Sequence, residues 1–542
     1  MNGADLLVKE LQARGTPCLY TLCGNGLDAI FDATHRANLR VIDTRNEQAA
    51  AYMADTAGRL TRRLGVVAVS TGVAHINALT GVCNAWFDGS PMLLITGASD
   101  SATAGRGNFQ DMDSVGLARP LCKYSAGVDR PERLGWLLDE AIRAAVSGRP
   151  GPVHLTIPMD VLRAPAPEAG PQGPRTAEVV YGGEADETSL AEAVKLIGAA
   201  ERPFIIAGSG CFYADASAEL AVVAEQMRAP VAVPIWDRGA IEQPIPEFVG
   251  VIGAASGQPR VMPDADLILL LGAEVDYRVG YLEPPAIAPG ARIIRCDVEP
   301  EKINQGVRPD LPLLGDPRQI LRQLSAALDA EGRRGNAEWL TEAQLRNADF
   351  RRPWTAMPPP ASPACTGRHV IEAIRQAVPE DAFILVDGGN IGQWFHMSMC
   401  DRYPARWLTC GRSAVVGWGF PGAAAVRSLY ADEPVLLLSG DGSATFTLAE
   451  IEAAARQNLP YVAIVADDSA WGIVVSGCRK REQPPVACAL GPIDFVAVAE
   501  GFGARGIRVE DASRLPAAID EGFASGQVTL IHVPVCHGGP AD

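Results

Sequence analysis

The 542-residue chain is predicted to fold as an α/β protein built from three doubly wound parallel-sheet domains. Short apolar runs of strand length alternate with longer stretches of helical periodicity along most of the chain, the rhythm of βα units. The length exceeds what one hydrophobic core supports. Two stretches, 163–187 and 330–366, break the rhythm with Pro, Gly, Ala and mixed charge, the second carrying Pro358-Pro359-Pro360. Domains are therefore expected at residues 1–165, 188–328 and 367–536, with linkers at 166–187 and 329–366. No internal repeat is visible as self-similarity.

In the first block, Arg40 to Asp43 reads as a strand that delivers Thr44-Arg45-Asn46-Glu47 to an Ala-rich helix from Gln48 to Arg59. Glu47 thus stands at a strand-to-helix junction on a sheet edge, either as a functional carboxyl group or as a helix-initiating residue favoured by the helix dipole. A buried strand, Val66 to Val69, follows, then a loop from Ser70 to Asn77, a helix, and a strand from Met92 to Thr96. The middle block offers strands at Arg202–Ser209, Asp266–Gly272 and Ala291–Asp297, with a Gly208-Ser209-Gly210 turn that by itself is a weak nucleotide signal.

The third block carries most of the chemistry. Val386-Asp387-Gly388-Gly389-Asn390 is a strand end opening into a helix, and its Gly-rich turn suits an anion contact. An apolar strand, Pro434 to Leu438, leads into Ser439-Gly440-Asp441-Gly442-Ser443, then a helix over Thr447–Asn458, then the strand Tyr461–Ala466 and Asp467-Asp468-Ser469-Ala470-Trp471-Gly472. A parallel crossover brings both strand ends to one edge of the sheet, where open α/β sheets bind ligands. Asp441 and Asp468 are then expected to face each other across a Gly-lined cleft, with Gly442 and Ser443 offering N–H groups to an anion. Paired carboxylates beside such a nest suit a diphosphate held through Mg²⁺. The alternative is a surface turn with Asp468 as a helix cap.

Composition excludes several other classes. A net charge of −17, with no basic run longer than Arg479-Lys480-Arg481, argues against nucleic acid as a partner. No apolar stretch approaches the roughly 18 residues of a membrane span, and Met1 to Gly15 reads as an amphipathic helix, so a cytoplasmic protein acting on a small molecule is expected. The twelve cysteines form no Cys-x-x-Cys pair, which leaves zinc and a disulfide framework without a basis.

The Gly440-Asp441-Gly442 loop and the Asp467-Asp468 pair in their strand-helix-strand setting resemble the cofactor signature of thiamine diphosphate enzymes. Glu47, the strand after it and the loop ending in Asn77 resemble the pyrimidine-binding domain of that family, above all its acetolactate synthase and benzaldehyde lyase branch. The resemblance implies metal ligation by Asp441, Asp468 and the carbonyl of Ala470. It implies cofactor contacts at Gly389, Asn390, Gly440, Gly442, Ser443, Trp471, Gly472 and Ile473. Val416 would wedge the cofactor into a bent shape, its N–H and the carbonyl of Ala414 holding the pyrimidine. Glu47 would bond the pyrimidine N1′ and promote proton removal at the thiazolium C2, and Gln110 would reach the substrate side. In the family the Glu of one chain meets the metal site of another, which implies a homodimer at least and commonly a tetramer. The central domain of such enzymes binds FAD in acetolactate synthases, ADP in oxalyl-CoA decarboxylase and nothing in many relatives.

The chain departs from the family pattern at three places. Asp467-Asp468 stands where Asn-Asn is usual, adding negative charge near an anionic cofactor. Gly72-Val73-Ala74-His75-Ile76-Asn77 replaces a Gly-Pro-Gly-x-x-Asn loop, which makes His75 either an acid/base or substrate donor, or a histidine bonded to the backbone. Ser476-Gly477-Cys478 lies where acetolactate synthases carry a channel Trp. The implied reaction is carbon–carbon bond making or breaking on a 2-oxo acid or 2-hydroxy ketone, with acetolactate synthase-like decarboxylation and carboligation first. A 2-hydroxyacyl-CoA or acyloin lyase acting without decarboxylation and a non-catalytic paralogue are the alternatives.

Overall fold

The computed structural model describes residues 1–167, 182–332, 334–355 and 365–538. Among the described residues eighteen strands form three six-stranded sheets, and their pairings run parallel. The N-terminal sheet holds β1 (Cys18–Thr21), β2 (Arg40–Asp43), β3 (Gly65–Val69), β4 (Met92–Ala98), β5 (Tyr124–Gly127) and β6 (Pro152–Pro158). The middle sheet holds β7 (Pro203–Ala207), β8 (Val231–Pro234), β9 (Phe248–Ile252), β10 (Leu267–Leu271), β11 (Arg292–Asp297) and β12 (Leu311–Leu314). The C-terminal sheet holds β13 (Phe383–Asp387), β14 (Trp407–Thr409), β15 (Val435–Gly440), β16 (Val462–Asp467), β17 (Arg505–Arg508) and β18 (Thr529–Pro534). The central strands, such as Leu267–Leu271 and the 435–438 part of β15, are apolar and buried throughout, because helices cover both faces of a parallel sheet.

The order β2-β1-β3-β4-β6-β5 in the first sheet recurs in the third as β14-β13-β15-β16-β18-β17. The outer domains therefore share one topology although their sequences show no self-similarity. The middle sheet runs β9-β8-β7-β10-β11-β12, the strand order of dinucleotide-binding folds. In the C-terminal sheet the order reverses between β13 and β15, and the loops after those strands diverge to leave a crevice there.

Two expectations need correction. Helix Val73–Asp88 begins inside the stretch read as a loop, with Gly72 as its N-cap. Residues 337–355, placed in the second linker, form the helix Ala337–Thr355. Its buried stripe of Trp339, Ala343 and Arg351 straps the middle domain to the C-terminal one: Trp339 Nε1 donates to the Pro203 carbonyl at 2.8 Å and Arg351 Nη1 to that of Met397 at 2.8 Å. The polyproline run and most of the first linker lie outside the described residues. Among the described residues no helix is long and apolar enough to cross a membrane.

A buried arginine joins all three domains. Arg238, after β8, donates to the carbonyls of Arg59 at 3.3 Å, Trp407 at 2.9 Å and Ala405 at 2.6 Å, and stacks on the Phe212 ring. Burial and the neighbouring Arg59 push its pKa down to about 10, so it remains a cation at neutral pH. Replacement by Met keeps the volume but strands buried acceptors. Arg238→Met is expected to lower the unfolding free energy by about 3–5 kcal/mol, at about 1–3 kcal/mol per stranded acceptor with some relaxation, read as a fall in the urea midpoint.

Candidate active site

The loops after β13, β15 and β16 converge on one cleft of about 260 Å³ at the C-terminal edge of the third sheet. Parallel pairing sets this up: Asp387 lies opposite Ser439, and Gly440 opposite Ala466, so the residues that follow emerge side by side. Gly388, at φ 140°, passes so close to β15 that a Cβ on it would stand 2.8 Å from the Gly440 nitrogen. Helix Asn390–Ser398 then starts at Gly389, and the short helix Asp441–Ala444 starts at Gly440. The cleft is lined by Gly389, Asn390, Gly440, Asp441, Gly442 and Ser443 on one side and by Asp468, Ala470, Trp471, Gly472 and Ile473 on the other. Ala414 and Val416, on the loop after β14, close it. All thirteen C-terminal positions singled out in the sequence thus line a single cavity.

The electrostatics suit a cation. Burial first, then Asp468 and Asp467, push the Asp441 carboxyl up to about 7, and its Oδ2 is buried without a hydrogen-bond partner. Burial also raises Asp468, while His537, 3.8 Å away, opposes that shift. Asp468 Oδ2 and Asn390 Nδ2 would lie 2.2 and 2.4 Å from a Cβ on Gly472, so a side chain there would displace both polar groups from their present positions. Among the described residues no three His, Cys, Asp or Glu side chains gather into a metal cage. Two carboxylates and a backbone carbonyl fit instead a hard cation that completes its shell with phosphate oxygens and water.

The loop carrying Ala414 and Val416 lacks regular structure, yet the N-terminal domain of the same chain holds it. Asp88 accepts the Arg412 amide N–H at 2.7 Å, and Ser413 Oγ bonds Asn84 Oδ1. Asn84 Nδ2 in turn donates to Asp55 at 2.8 Å. Trp418 Nε1 donates to Thr56 Oγ1 at 3.0 Å and Arg59 Nη2 to the Thr409 carbonyl at 2.8 Å. Gly411 has φ 93°, and any Cβ there would collide with the Asp88 carboxylate. Ala414 sits at φ 54°, held by the bond from its N–H to the Gly411 carbonyl at 2.9 Å. Thr56, Arg59, Asn84 and Asp88 carry no motif, because their partners on this loop lie more than 300 residues away in sequence.

The N-terminal residues group elsewhere. Glu47 opens helix Glu47–Thr61 and accepts Asn77 Nδ2 at 3.0 Å. Gly72, at φ 66°, packs against Gln110, whose own φ is 57° and whose carbonyl accepts Thr71 Oγ1 at 3.1 Å. Glu47, Asn77 and Gln110 thus follow β2, β3 and β4 at one sheet edge, and none of them lines the C-terminal cleft. His75 departs from its expected place in a loop near the cofactor. Because helix Val73–Asp88 starts early, the ring turns into the domain interior, fully buried, with Nδ1 2.8 Å from Thr96 Oγ1 and the His154 ring 4.9 Å away. Burial lowers its pKa to about 4, so it is neutral at physiological pH.

The middle-domain crevice measures about 60 Å³, against the roughly 300–1,000 Å³ of typical ligand pockets. Glu274 fills it, bridging Arg149 of the N-terminal domain and Arg412 of the C-terminal one at 3.3 Å each. Burial opposes ionisation of Glu274, but the two arginines hold its carboxyl below the ordinary value. With Glu274 held between these arginines, the crevice as it stands is smaller than an FAD or ADP needs.

If the N-terminal domain holds the Ala414–Val416 loop, Asp88→Ala should release it. Loss of a buried, charged acceptor worth about 1.5–3 kcal/mol is expected to speed amide exchange across residues 411–416 by about 10–150-fold. Hydrogen–deuterium exchange with mass spectrometry is the check, and unchanged protection would mean that the loop holds itself.

Comparison with known proteins agrees with this geometry. Three family profiles match along the chain: the thiamine pyrophosphate enzyme N-terminal TPP binding domain over residues 1–117, the central domain over 190–324, and the C-terminal TPP binding domain over 387–533. The chain is 28% identical to a probable acetolactate synthase large subunit of Methanocaldococcus jannaschii, covering 99% of this chain and 92% of that protein. It is 29% identical to the acetolactate synthase isozyme 1 large subunit of Escherichia coli, over 98% and 94% of the two chains. It is also 28% identical to 2-hydroxyacyl-CoA lyase 2 of Homo sapiens, over 93% and 85%. The chain belongs to the thiamine pyrophosphate enzymes, in the acetolactate synthase branch.

Proposed function

We propose that the protein is a Mg²⁺-dependent carboligase that joins an acyl unit from a 2-oxo acid, with loss of CO₂, to a second carbonyl compound. The observation that carries this reading is the convergence of all thirteen C-terminal positions on one cleft with a buried, unpartnered carboxylate oxygen on Asp441. Thiamine diphosphate, when bound, supplies a carbanion-forming carbon and an electron sink for chemistry beside a carbonyl. Asp441, Asp468 and the Ala470 carbonyl would hold Mg²⁺, and the N–H groups of Gly442 and Ser443 and the turn at Gly389 would receive an anionic diphosphate. Trp471, Gly472 and Ile473 form the opposite wall. Val416 and the Ala414 carbonyl set the ring orientation, so that positioning contributes to the rate.

Glu47 would offer a carboxyl group able to give or take a proton beside the cofactor, and Gln110 a polar contact on the substrate side. Both lie away from the cleft of their own chain, so we assign them to the cleft of a second copy, making a homodimer the smallest active unit and a tetramer the expected assembly. Exposed apolar side chains support this: Val73, Ile76 and Phe109 surround the Glu47 edge, and Phe446 and Val474 flank the cleft. His75 we place outside the chemistry. The acidic net charge and the absence of a membrane-crossing helix among the described residues are compatible with the expected cytoplasmic setting.

A second reading, a lyase that cleaves 2-hydroxyacyl-CoA or an acyloin without CO₂ release, draws support from the 28% identity to 2-hydroxyacyl-CoA lyase 2 and from the exposed Arg479, Lys480 and Arg481 at the end of helix Gly472–Lys480. Product analysis separates the two: CO₂ and a new 2-hydroxy ketone from pyruvate favour the carboligase, and cleavage without CO₂ the lyase. Calorimetry should find thiamine diphosphate binding that depends on Mg²⁺ and disappears with a chelator; metal-independent binding, or none, would sink the proposal. Glu47→Gln should retain binding while slowing exchange of the C2 proton by about 10²–10⁴-fold, measured by NMR in deuterium oxide.

A further inference from the structure

The Asp467-Asp468 pair places a third carboxylate beside Asp441 and Asp468, and the structure holds that extra group in a defined way. Asp467 ends β16, and the neighbouring strand β18 runs alongside with Val465 opposite His532 and Asp467 opposite Pro534. His532 is 2% exposed, packed edge-on against Phe495, and its Nε2 lies 2.8 Å from Asp467 Oδ2. Its Nδ1 faces Arg508 Nη1 at 3.4 Å. A guanidinium only donates, so Nδ1 accepts and Nε2 carries the proton given to Asp467.

The other Asp467 oxygen, Oδ1, accepts the Ser469 amide N–H at 2.9 Å and the Ser469 hydroxyl at 3.1 Å. Ser469 stands at φ 53°, a left-handed backbone that serine seldom adopts, at the point where the chain reverses toward Ala470. Two further bonds pin the turn from beyond: Leu490 N–H to the Ser469 carbonyl and Trp471 N–H to the Cys488 carbonyl, both 2.8 Å. Both oxygens of Asp467 are thus bonded to His532 and Ser469; Asp467 also stands within hydrogen-bonding reach of the Asp441 carboxyl, yet it does not line the cleft, whereas Ala466 and Asp468 do.

We propose that His532 is a positioning residue for the cation: it holds Asp467 back from the metal and fixes the Ser469 turn, so that Asp468 and the Ala470 carbonyl face the cleft with Asp441. The proposal rests on the Mg²⁺ site assigned above. Hydrogen-bond partners behind metal ligands typically change metal affinity by about 10–100-fold when removed.

The test is a calorimetric titration of Mg²⁺ into the full-length enzyme at saturating thiamine diphosphate. His532→Leu is expected to weaken Mg²⁺ binding by about 10–100-fold, with the thermal midpoint within a few degrees of wild type, and His532→Gln, which keeps an N–H donor, to recover most of the loss. In an Asp467→Asn background the His532→Leu loss should shrink to about threefold or less, because residues in one hydrogen-bond network couple. Wild-type affinity in His532→Leu, or equal losses in both backgrounds, overturns the role of His532. If His532→Leu does not fold, His532→Phe, which fills the same space without an N–H donor, carries the same titration, and wild-type affinity there overturns the role equally. Wild-type enzyme that binds thiamine diphosphate without Mg²⁺ instead overturns the assignment of the cleft itself.

Discussion

The site depends on a contact between domains of one chain: the Thr409–Trp418 segment is held by helices Glu47–Thr61 and Val73–Asp88. A ten-residue connection with three positive-φ backbone positions, Gly411, Ala414 and Gly417, would by itself sample many conformations, and conformational entropy would oppose any single shape. Here Asp88, Asn84, Thr56 and Arg59 each fix a different point along it. Their own positions are fixed in turn, since Arg59 lies 3.3 Å from Asp88 and 3.6 Å from Asp55 with almost no solvent access. Burial pushes Asp55 up to about 6 even though Arg59 opposes the shift, so the cluster is sensitive to the loss of either member. The helix that presents Glu47 at one end thus shapes a cleft-lining loop of the same chain further along.

That arrangement explains why two domains of one topology serve different ends of the site. Each sheet gathers its loops at its C-terminal edge, as parallel sheets with right-handed crossovers must. The C-terminal copy places glycines and carboxylates there, a polar cradle for an anion and a cation. The N-terminal copy places Glu47, Asn77 and Gln110 among exposed apolar side chains. The middle domain keeps the strand order of a dinucleotide fold but fills its crevice with Glu274 between two arginines from its neighbours. Glu274 and Arg238 thus tie it to both outer domains.

What the sequence revealed follows the range of the interactions involved. The strand–turn–helix units at Gly389, Gly440 and Asp468 are local, and periodicity plus parallel topology suffices to bring them together. Glu47 was legible for the same reason, standing at a junction that its own flanks define. His75 was not: its direction depends on whether the helix begins at Val73 or after Asn77, and Gly72 tips that choice by packing against Gln110 far along the chain. Helix Ala337–Thr355 was hidden because it buries only Trp339, Ala343 and Arg351, and a stripe that narrow amid mixed charge has the composition of a linker. The shared topology of the outer domains left no trace in residue identity, since a buried strand asks only for apolar residues of the right length.

The Asp467-Asp468 departure also changes meaning in three dimensions. Read along the chain, two carboxylates replace two amides beside an anionic cofactor, which looks like an electrostatic cost of two charges. In the fold the two positions are not equivalent. Asp467 gives both oxygens to His532 and Ser469 and reaches the site through its effect on Asp441, whereas Asp468 lines the cavity directly. A divalent cation between Asp441 and Asp468 would then meet two carboxylates and one carbonyl, balancing its charge before any phosphate arrives. The phosphates would bind to a site that is neutral overall, supported by N–H groups at the Gly442 and Gly389 turns rather than by an excess of positive charge. In that balance the backbone nests carry much of the selectivity for a diphosphate, and the need for Gly at 388 and 472, where a side chain would strike the opposite strand or Asp468, becomes an electrostatic requirement as much as a steric one.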